Sequence, residues 1–368
     1  MDTLIVSILL NYNMSAIMFP MLPNVAPSRK TSIIILIVGI LICIIIVLLV
    51  FMTSNKCSKE EIKTSIVGMT DENKQNTLLC NFFIKSSYNS CATGNFMNGW
   101  VNLCALNRVI KYGCRVLDFE IYTVNDKCVV ATSNSIKLTE KGSYNSIPIG
   151  DVLENIRNTA ISRSINTEKC PNPSDPLFLH FRMKTNKEGI YNELARSITT
   201  HLGDVLISAT YNINNYQDFC STMKFSDLKN KVIIIVDKTD GKLEKGLLSE
   251  VVHIIGNGPS FHSWSYNDIA FSPDEGISDF NSGGNMTYCY PPLSFYPKNF
   301  SPVLPMQYGV QMSGLCFQNN DVHLKTYNSI FDEQQSAFIV KTTGSYTPQE
   351  VTVPGLHSGQ QLADESEM

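Results

Sequence analysis

The chain has few charged residues and no strongly basic or acidic segment. Charged side chains make up 17% of its 368 residues, and the formal net charge is −4. Because no Lys/Arg-rich run and no alternation of basic with aromatic residues occurs, nucleic acid is excluded as a partner. No pair of cysteines has the CxxC spacing of zinc sites, and no Lys-Ser/Thr follows the glycines at 283–284 to make a phosphate-binding loop. Internal repeats and low-complexity tracts are also absent.

Residues 32–52 contain no charge at all and read SIIILIVGILICIIIVLLVFM. Roughly 20 apolar residues in a helix match the thickness of a bilayer's hydrocarbon core. The stretch therefore predicts a transmembrane helix and a single-pass membrane protein. Its two flanks carry similar numbers of basic residues, so they do not set the orientation. Eleven cysteines and the glycosylation sequons at Asn285 and Asn299 favour a non-cytosolic body.

The remaining chain divides into four further segments. Residues 1–31 are predicted to be a leader, and the polar residues 53–76 a tether. Residues 77–345 alternate between strand and helix patterns, and 346–368 have the composition of a disordered tail. Strands are predicted at 80–86, 114–122, 128–132, 176–183, 231–237, 251–255, 311–318 and 337–341. Helices are predicted at 98–111, 149–163 and 187–201.

This alternation predicts an α/β fold with a mostly parallel sheet covered by helices. Several of the strands are apolar throughout, such as KVIIIVD at 231–237, which is typical of strands buried on both faces. About 260 residues in this pattern fit a closed (β/α)8 barrel of the TIM type better than a small open sheet.

Four segments, in order, resemble motifs of phosphatidylinositol-specific phospholipase C. SSYNS (86–90) followed by TGN (93–95) resembles the motif that carries that family's first histidine. GCRVLDFE (113–120) is similar to its Gly-Cys-Arg strand, which ends in two acids. PLFLHFR (176–182) takes the place of a strand that ends in glutamate, and YGVQMSGLCFQ (308–318) resembles a strand of the second half. The resemblance covers roughly 80–341 and implies a phospholipase C-like barrel.

The likeness is closer to divergent members of the family from large DNA viruses. They share the Tyr-Asn form of the first motif and a stretch similar to CPNPSDPL at 170–177. This resemblance implies a viral protein placed in a host or virion membrane.

The resemblance also implies which residues stand at the family's catalytic positions. Tyr88 occupies the place of the first histidine, and Thr132 the place of the second. A phenol with a pKa near 10 is a poor proton shuttle at neutral pH. The family's phosphate-binding lysines correspond to Ile235 and Asp237. No catalytic residue is therefore expected to be intact.

The family's calcium ligands are only partly kept. Asn89, Asp118 and Glu120 remain, but Arg182 replaces the last acid. A guanidinium beside two carboxylates should repel calcium and pair with the acids, so neither a metal nor another cofactor is expected. Asn89 and Arg182 are then the predicted substrate-binding residues.

Three functions remain open from the sequence. The first is a catalytically degenerate, membrane-anchored barrel that binds a phosphoinositide head group or a protein. The second is an active, metal-independent phosphodiesterase, in which Arg182 supplies charge and His180 or Tyr88 transfers the proton. The third is a structural or entry protein of a virion membrane.

Overall fold

The structure is a computed structural model that describes residues 29–54, 57, 61–134, 140–161, 168–237, 246–271, 276–294 and 297–341. Most of the predicted leader and all of the predicted tail lie outside these residues. The described chain divides into two units, residues 1–53 and 54–368.

In the first unit, the described residues form helix α1 (Arg29–Ser54) over the apolar stretch of the sequence. Side chains in this helix are described at residues 29–30 and 32–46. Within the described residues, no helix combines the length and the apolar character that crossing a membrane requires. A span needs roughly 20 apolar residues. This finding contradicts the prediction of a transmembrane helix at 32–52 and of a single-pass membrane protein.

The second unit is built on an 11-stranded sheet. Its strands are β1 (Phe82–Ser87), β2 (Val116–Val124), β3 (Lys127–Ala131), β4 (Ile147–Pro148), β5 (Leu177–Met183), β6 (Val232–Asp237), β7 (Ile254–Gly256), β8 (Phe261–Ser265), β9 (Met286–Tyr290), β10 (Met312–Leu315) and β11 (Phe338–Val340). Three of them, β4, β8 and β9, were not predicted. They are short, and β8 and β9 mix polar and aromatic residues without the apolar runs of β5 and β6.

Eight strands run parallel in the order β7-β6-β5-β2-β1-β10-β9-β8. No ladder joins β7 to β8 in the described residues, so the barrel is nearly closed. The predicted barrel is confirmed apart from this one seam. Strands β11 and β3 pair antiparallel to β1 and β2, and β4 pairs with β3.

Helices cover the outside of the barrel. They are α2 (Glu72–Gln75), α3 (Leu103–Lys111), α4 (Ile149–Thr159), α5 (Glu188–Leu202), α6 (Phe219–Thr222), α7 (Phe225–Leu228), α8 (Tyr266–Phe271), α9 (Ile277–Ser282), α10 (Val303–Gln307) and α11 (Val322–Glu333). Helix α3 begins later than predicted because Asn102 caps it, accepting a hydrogen bond from Cys104 N at 2.9 Å.

The segment before the barrel is attached to it in two ways. Ile66 and Met69 are buried in the main hydrophobic core, and Met69 N donates to Asp175 Oδ1 at 2.9 Å. Farther upstream, a disulfide joins Cys57 to Cys104 near the start of α3. The boundaries proposed for a tether at 53–76 remain a prediction, but part of this segment packs as core.

The disulfide should add measurable stability. It closes a loop of 47 residues, and restricting the unfolded chain to this extent contributes about 2–4 kcal/mol. We expect the double substitution Cys57→Ala and Cys104→Ala to lower the free energy of unfolding in urea by this amount. A reducing agent should destabilise the wild-type chain and leave the double variant unaffected. Equal stability of the wild type with and without reductant would contradict the expectation.

Candidate functional site

The predicted site residues meet at the carboxyl ends of neighbouring parallel strands. Register places Asp118 of β2 beside His180 of β5, and Glu120 beside Arg182; on the other side, Arg182 lies beside Asp237 of β6. Because residues two apart on a strand point to the same face, each strand directs its pair of side chains into the barrel interior. The carboxyl end of a parallel barrel is where active sites are built in this fold.

Arg182 is the centre of this cluster. Its Nε and Nη2 donate to the two oxygens of Asp118, each at 2.8 Å. Nη1 donates to Glu120 Oε1 at 2.8 Å and to Tyr88 OH at 3.1 Å. Nη2 also donates to Asn89 Oδ1 at 3.0 Å. A guanidinium has five N–H groups, so every donor of Arg182 has an acceptor.

The ion pair between Arg182 and Asp118 is buried. Burial opposes ionisation of Asp118, but the guanidinium of Arg182, assisted by His180, holds the pKa of this carboxyl well below its usual range. Asp118 therefore remains a carboxylate at any physiological pH. Taking such charges out of water is costly, and the fork geometry with complete hydrogen bonding offsets that cost.

Tyr88 serves the guanidinium with both its hydroxyl and its ring. The centre of the ring lies 4.3 Å from Arg182 Cζ, which is within the range of a cation–π contact. The ring of Tyr290 on β9 stacks with the ring of Tyr88, with centroids 6.1 Å apart and planes at 12°. Burial raises the pKa of Tyr88 well above the value for a free phenol. The phenol therefore stays neutral and does not exchange protons near neutral pH.

The second oxygen of Glu120 is also satisfied by the protein. Glu120 Oε2 accepts from Tyr122 OH at 2.8 Å and from Ser133 N at 2.9 Å. Thr132, at the position of the family's second histidine, directs its hydroxyl to Phe96 O at 3.0 Å. Thr132 is thus bound to a neighbouring loop and makes no hydrogen bond to the acids. The backbone N–H of Ser133 therefore stands beside Glu120.

His180 bridges two carboxylates. Its Nε2 lies 2.8 Å from Asp237 Oδ1, and its Nδ1 lies 3.1 Å from Asp118 Oδ1. The second contact is close but poorly aligned, and Nδ1 has no well-formed hydrogen bond. Burial disfavours the charged ring, but Asp237 and Asp118 outweigh it and raise the pKa of His180 to about 9. At neutral pH His180 is therefore an imidazolium, which cannot accept a proton as a general base.

Asp237 belongs to the site, although the sequence indicated only that a family lysine was missing there. Ser263 of β8 donates to Asp237 Oδ1 at 3.0 Å, which adds to the contact from His180. Gly256 on β7 is required beside it, because a Cβ at that position would stand 1.7 Å from Asp237 Oδ1. A signal was present in the sequence, since Asp237 ends an otherwise apolar strand at the functional face of the barrel.

The residues at the family's calcium position do not fit the ion in this fold. Asn89 Oδ1, both oxygens of Asp118 and one oxygen of Glu120 are the acceptors of Arg182. A hard divalent cation needs such oxygens to be free and clustered. Over the described part of the chain, no group of three His, Cys, Asp or Glu side chains is arranged to hold a metal. Arg182 occupies the position that a cation would take.

Comparison with known proteins agrees with this geometry. Residues 75–238 match the family model of phosphatidylinositol-specific phospholipase C, X domain. The predicted family resemblance is thereby confirmed, whereas the closer likeness to viral members remains a prediction. No curated protein matches the chain by sequence.

Two solved structures have a similar fold. PLC21 of L. pealei has a TM-score of 0.58 at 18% identity, over 74% of this chain and 39% of that protein. PLC21 of S. officinalis has a TM-score of 0.60 at 18% identity, over 81% of this chain and 42% of that protein. At this identity the likeness shows the fold alone. The chain spans about two-fifths of the length of these relatives.

Replacing Arg182 should destabilise the X domain strongly. Arg182→Gln leaves the carboxylates of Asp118 and Glu120 buried without a cation, which typically costs about 3–5 kcal/mol. Arg157→Gln is the matched control, because Arg157 pairs with Asp204 on the surface at 2.6 Å, and such pairs contribute less than about 1 kcal/mol. Urea denaturation of both variants measures the difference. Similar stability losses in the two would show that the guanidinium is not the centre of the site.

His180 should make stability depend on alkaline pH. Its pKa is about 9 in the folded chain against 6.5 unperturbed. The contribution of His180 is therefore fully present below pH 6.5 and lost as pH rises through about 9, a change on the order of 3 kcal/mol. We expect His180→Asn to lack this loss and the control His201→Asn, on α5, to retain it. Unfolding curves across this pH range test the prediction, and parallel pH profiles for the two variants would refute it.

Proposed function

We propose that this phospholipase C-like barrel has lost phosphodiester hydrolysis and acts as a binding module for phosphorylated lipid head groups. One observation carries the loss of activity. The side chains aligned with the family's metal ligands, Asn89, Asp118 and Glu120, are all hydrogen-bonded to Arg182. An internal guanidinium thus replaces the exchangeable cation. The family fold supports a binding role for lipid head groups.

Proton transfer supports the same proposal. Tyr88 is a neutral phenol held by Arg182, and Thr132 is bound to Phe96. Each missing acid–base group typically lowers the rate by about 10²–10⁴. With both histidine positions changed, any residual hydrolysis should be far below that of an enzyme with two imidazoles.

An active, metal-independent phosphodiesterase is the alternative, and two observations count against it. All five N–H donors of Arg182 are used inside the protein, so none is left for a substrate phosphate. His180 is fully buried and is an imidazolium at neutral pH, so it neither reaches a substrate nor accepts its proton. If the barrel does not bind lipid, binding of a protein partner becomes the favoured function.

A turnover assay tests the loss of activity directly. The full chain is incubated with phosphatidylinositol vesicles, with and without calcium, and released inositol phosphate is measured. We expect no release above the level of the vesicles alone. Release that is abolished in His180→Ala but retained in the control His201→Ala would establish the alternative and reject this proposal.

Calcium response provides a second, independent test. Wild-type protein should melt at the same temperature in calcium and in chelator, because Arg182 already fills the site. Arg182→Glu restores a carboxylate beside Asp118 and Glu120, and calcium should then raise the melting temperature of this variant by binding the folded state. A calcium-dependent rise in the wild type would contradict the role assigned to Arg182.

A further inference from the structure

A polar cavity, separate from the Arg182 cluster, lies at the rim of the barrel, at the ends of β2 and β5. Its volume is about 400 Å³, and its lining includes Thr123, Asp126, Lys184, Thr185 and Lys187. This volume is in the range of small-ligand pockets. The cavity shares no residue with the Arg182 cluster, so a ligand bound here would not have to break that cluster.

Lys184 supplies an unpaired positive charge to this rim cavity. Its backbone N–H donates to Ile121 O at 2.8 Å, which continues the pairing of β5 with β2 and fixes the residue at the cavity. In the described chain, no hydrogen bond or ion pair joins Lys184 Nζ to another residue. Burial lowers the pKa of Lys184, although Glu120 opposes the effect through space. A partly buried ammonium without a partner favours an anion.

The other charges of the rim cavity are balanced. Lys187 Nζ pairs with Asp126 Oδ1 at 2.8 Å, so these two lining residues contribute no net charge. Lys187 is also the N-cap position of the 15-residue helix α5 and makes no side-chain capping bond. Glu188 in the first turn of α5 offsets the positive end of the helix dipole, so Lys184 is the main cation at the cavity.

Two threonines provide a hydroxyl donor. Thr123 Oγ1 and Thr185 Oγ1 lie 2.7 Å apart, and Thr185 Oγ1 also accepts from Lys187 N at 3.3 Å. Only one of the two hydroxyl hydrogens is needed between the threonines, so the other is available to a ligand. An ammonium and a hydroxyl donor in one cavity match the oxygens of a phosphate group.

We propose that the rim cavity binds a phosphomonoester, with Lys184 as its cation and the Thr123–Thr185 pair as hydroxyl donor. This inference rests on the proposed function, because it names the site and the ligand chemistry of that binding role. The phosphate could belong to a lipid head group or to a soluble molecule, since both present the same dianionic oxygens.

The test measures phosphate binding by the full chain. Calorimetry is carried out with inositol monophosphate and with inorganic phosphate, for wild type, Lys184→Gln and the control Lys111→Gln on α3. Removing a charge-assisted hydrogen bond should weaken binding roughly tenfold to a hundredfold in Lys184→Gln. Lys111→Gln should bind like the wild type, because Lys111 loses the same charge away from the cavity. No binding by the wild type, or equal binding by both variants, overturns the proposal.

Vesicles identify the source of the phosphate. Co-sedimentation with phosphatidylcholine vesicles is compared with and without phosphatidylinositol monophosphate. If the phosphoinositide increases co-sedimentation of the wild type and Lys184→Gln abolishes this increase, the ligand is a lipid head group. If co-sedimentation does not increase although the chain binds inositol monophosphate, the ligand is a soluble molecule. If Lys184→Gln does not fold, Thr123→Val, which removes one hydroxyl of the Thr123–Thr185 pair, should weaken binding, and wild-type binding by that folded variant rejects the site. Release of inositol phosphate in the turnover assay would reject the proposed loss of activity. It would not change the conclusion about phosphate binding at the rim cavity.

Discussion

The buried guanidinium of Arg182 imposes the main constraint on this molecule. Its five N–H groups need five acceptors, and the barrel supplies them from Tyr88, Asn89, Asp118 and Glu120 at 2.8–3.1 Å. These acceptors come from the ends of β1 and β2, so the register of both strands with β5 must be maintained. A cation that is part of the chain cannot dissociate. The mouth of the barrel is therefore organised by folding, without dependence on the concentration of an ion.

The pairing extends beyond Arg182 into a buried chain of alternating charges. In order, Glu120, Arg182, Asp118, His180 and Asp237 carry negative, positive, negative, positive and negative charge, with contacts of 2.8–3.1 Å. Each carboxylate favours the charged form of its neighbour, and this is why His180 is an imidazolium despite complete burial. Such a chain already pairs its cations internally. Neither Arg182 nor His180 is therefore left unpaired to attract a phosphate.

The ion network and the rim cavity lie at different places in the barrel. The parallel barrel is nearly closed, and the ion pairs of Arg182 with Asp118 and Glu120 lie between its strands. The apolar core lies elsewhere, but the Arg182 contacts join β5 to β2, so the strand register constrains which groups can stand at this site. The rim cavity is a separate place for the proposed ligand, because none of its lining residues belongs to the Arg182 cluster and Lys184 Nζ makes no hydrogen bond or ion pair in the described chain.

The sequence by itself determined the barrel, because apolar strands in alternation with helices and four ordered motifs are local patterns. The family resemblance in the sequence also predicts that Arg182 stands at a carboxylate position and that Tyr88 and Thr132 replace histidines. Only the tertiary structure placed His180 between two acids, since that depends on the register of three strands distant in sequence. It also decided that β8 and β9 are strands, although their mixed composition carries little periodicity. Apolar content alone predicted a membrane span at 32–52, whereas no helix within the described residues meets the requirements for crossing a membrane.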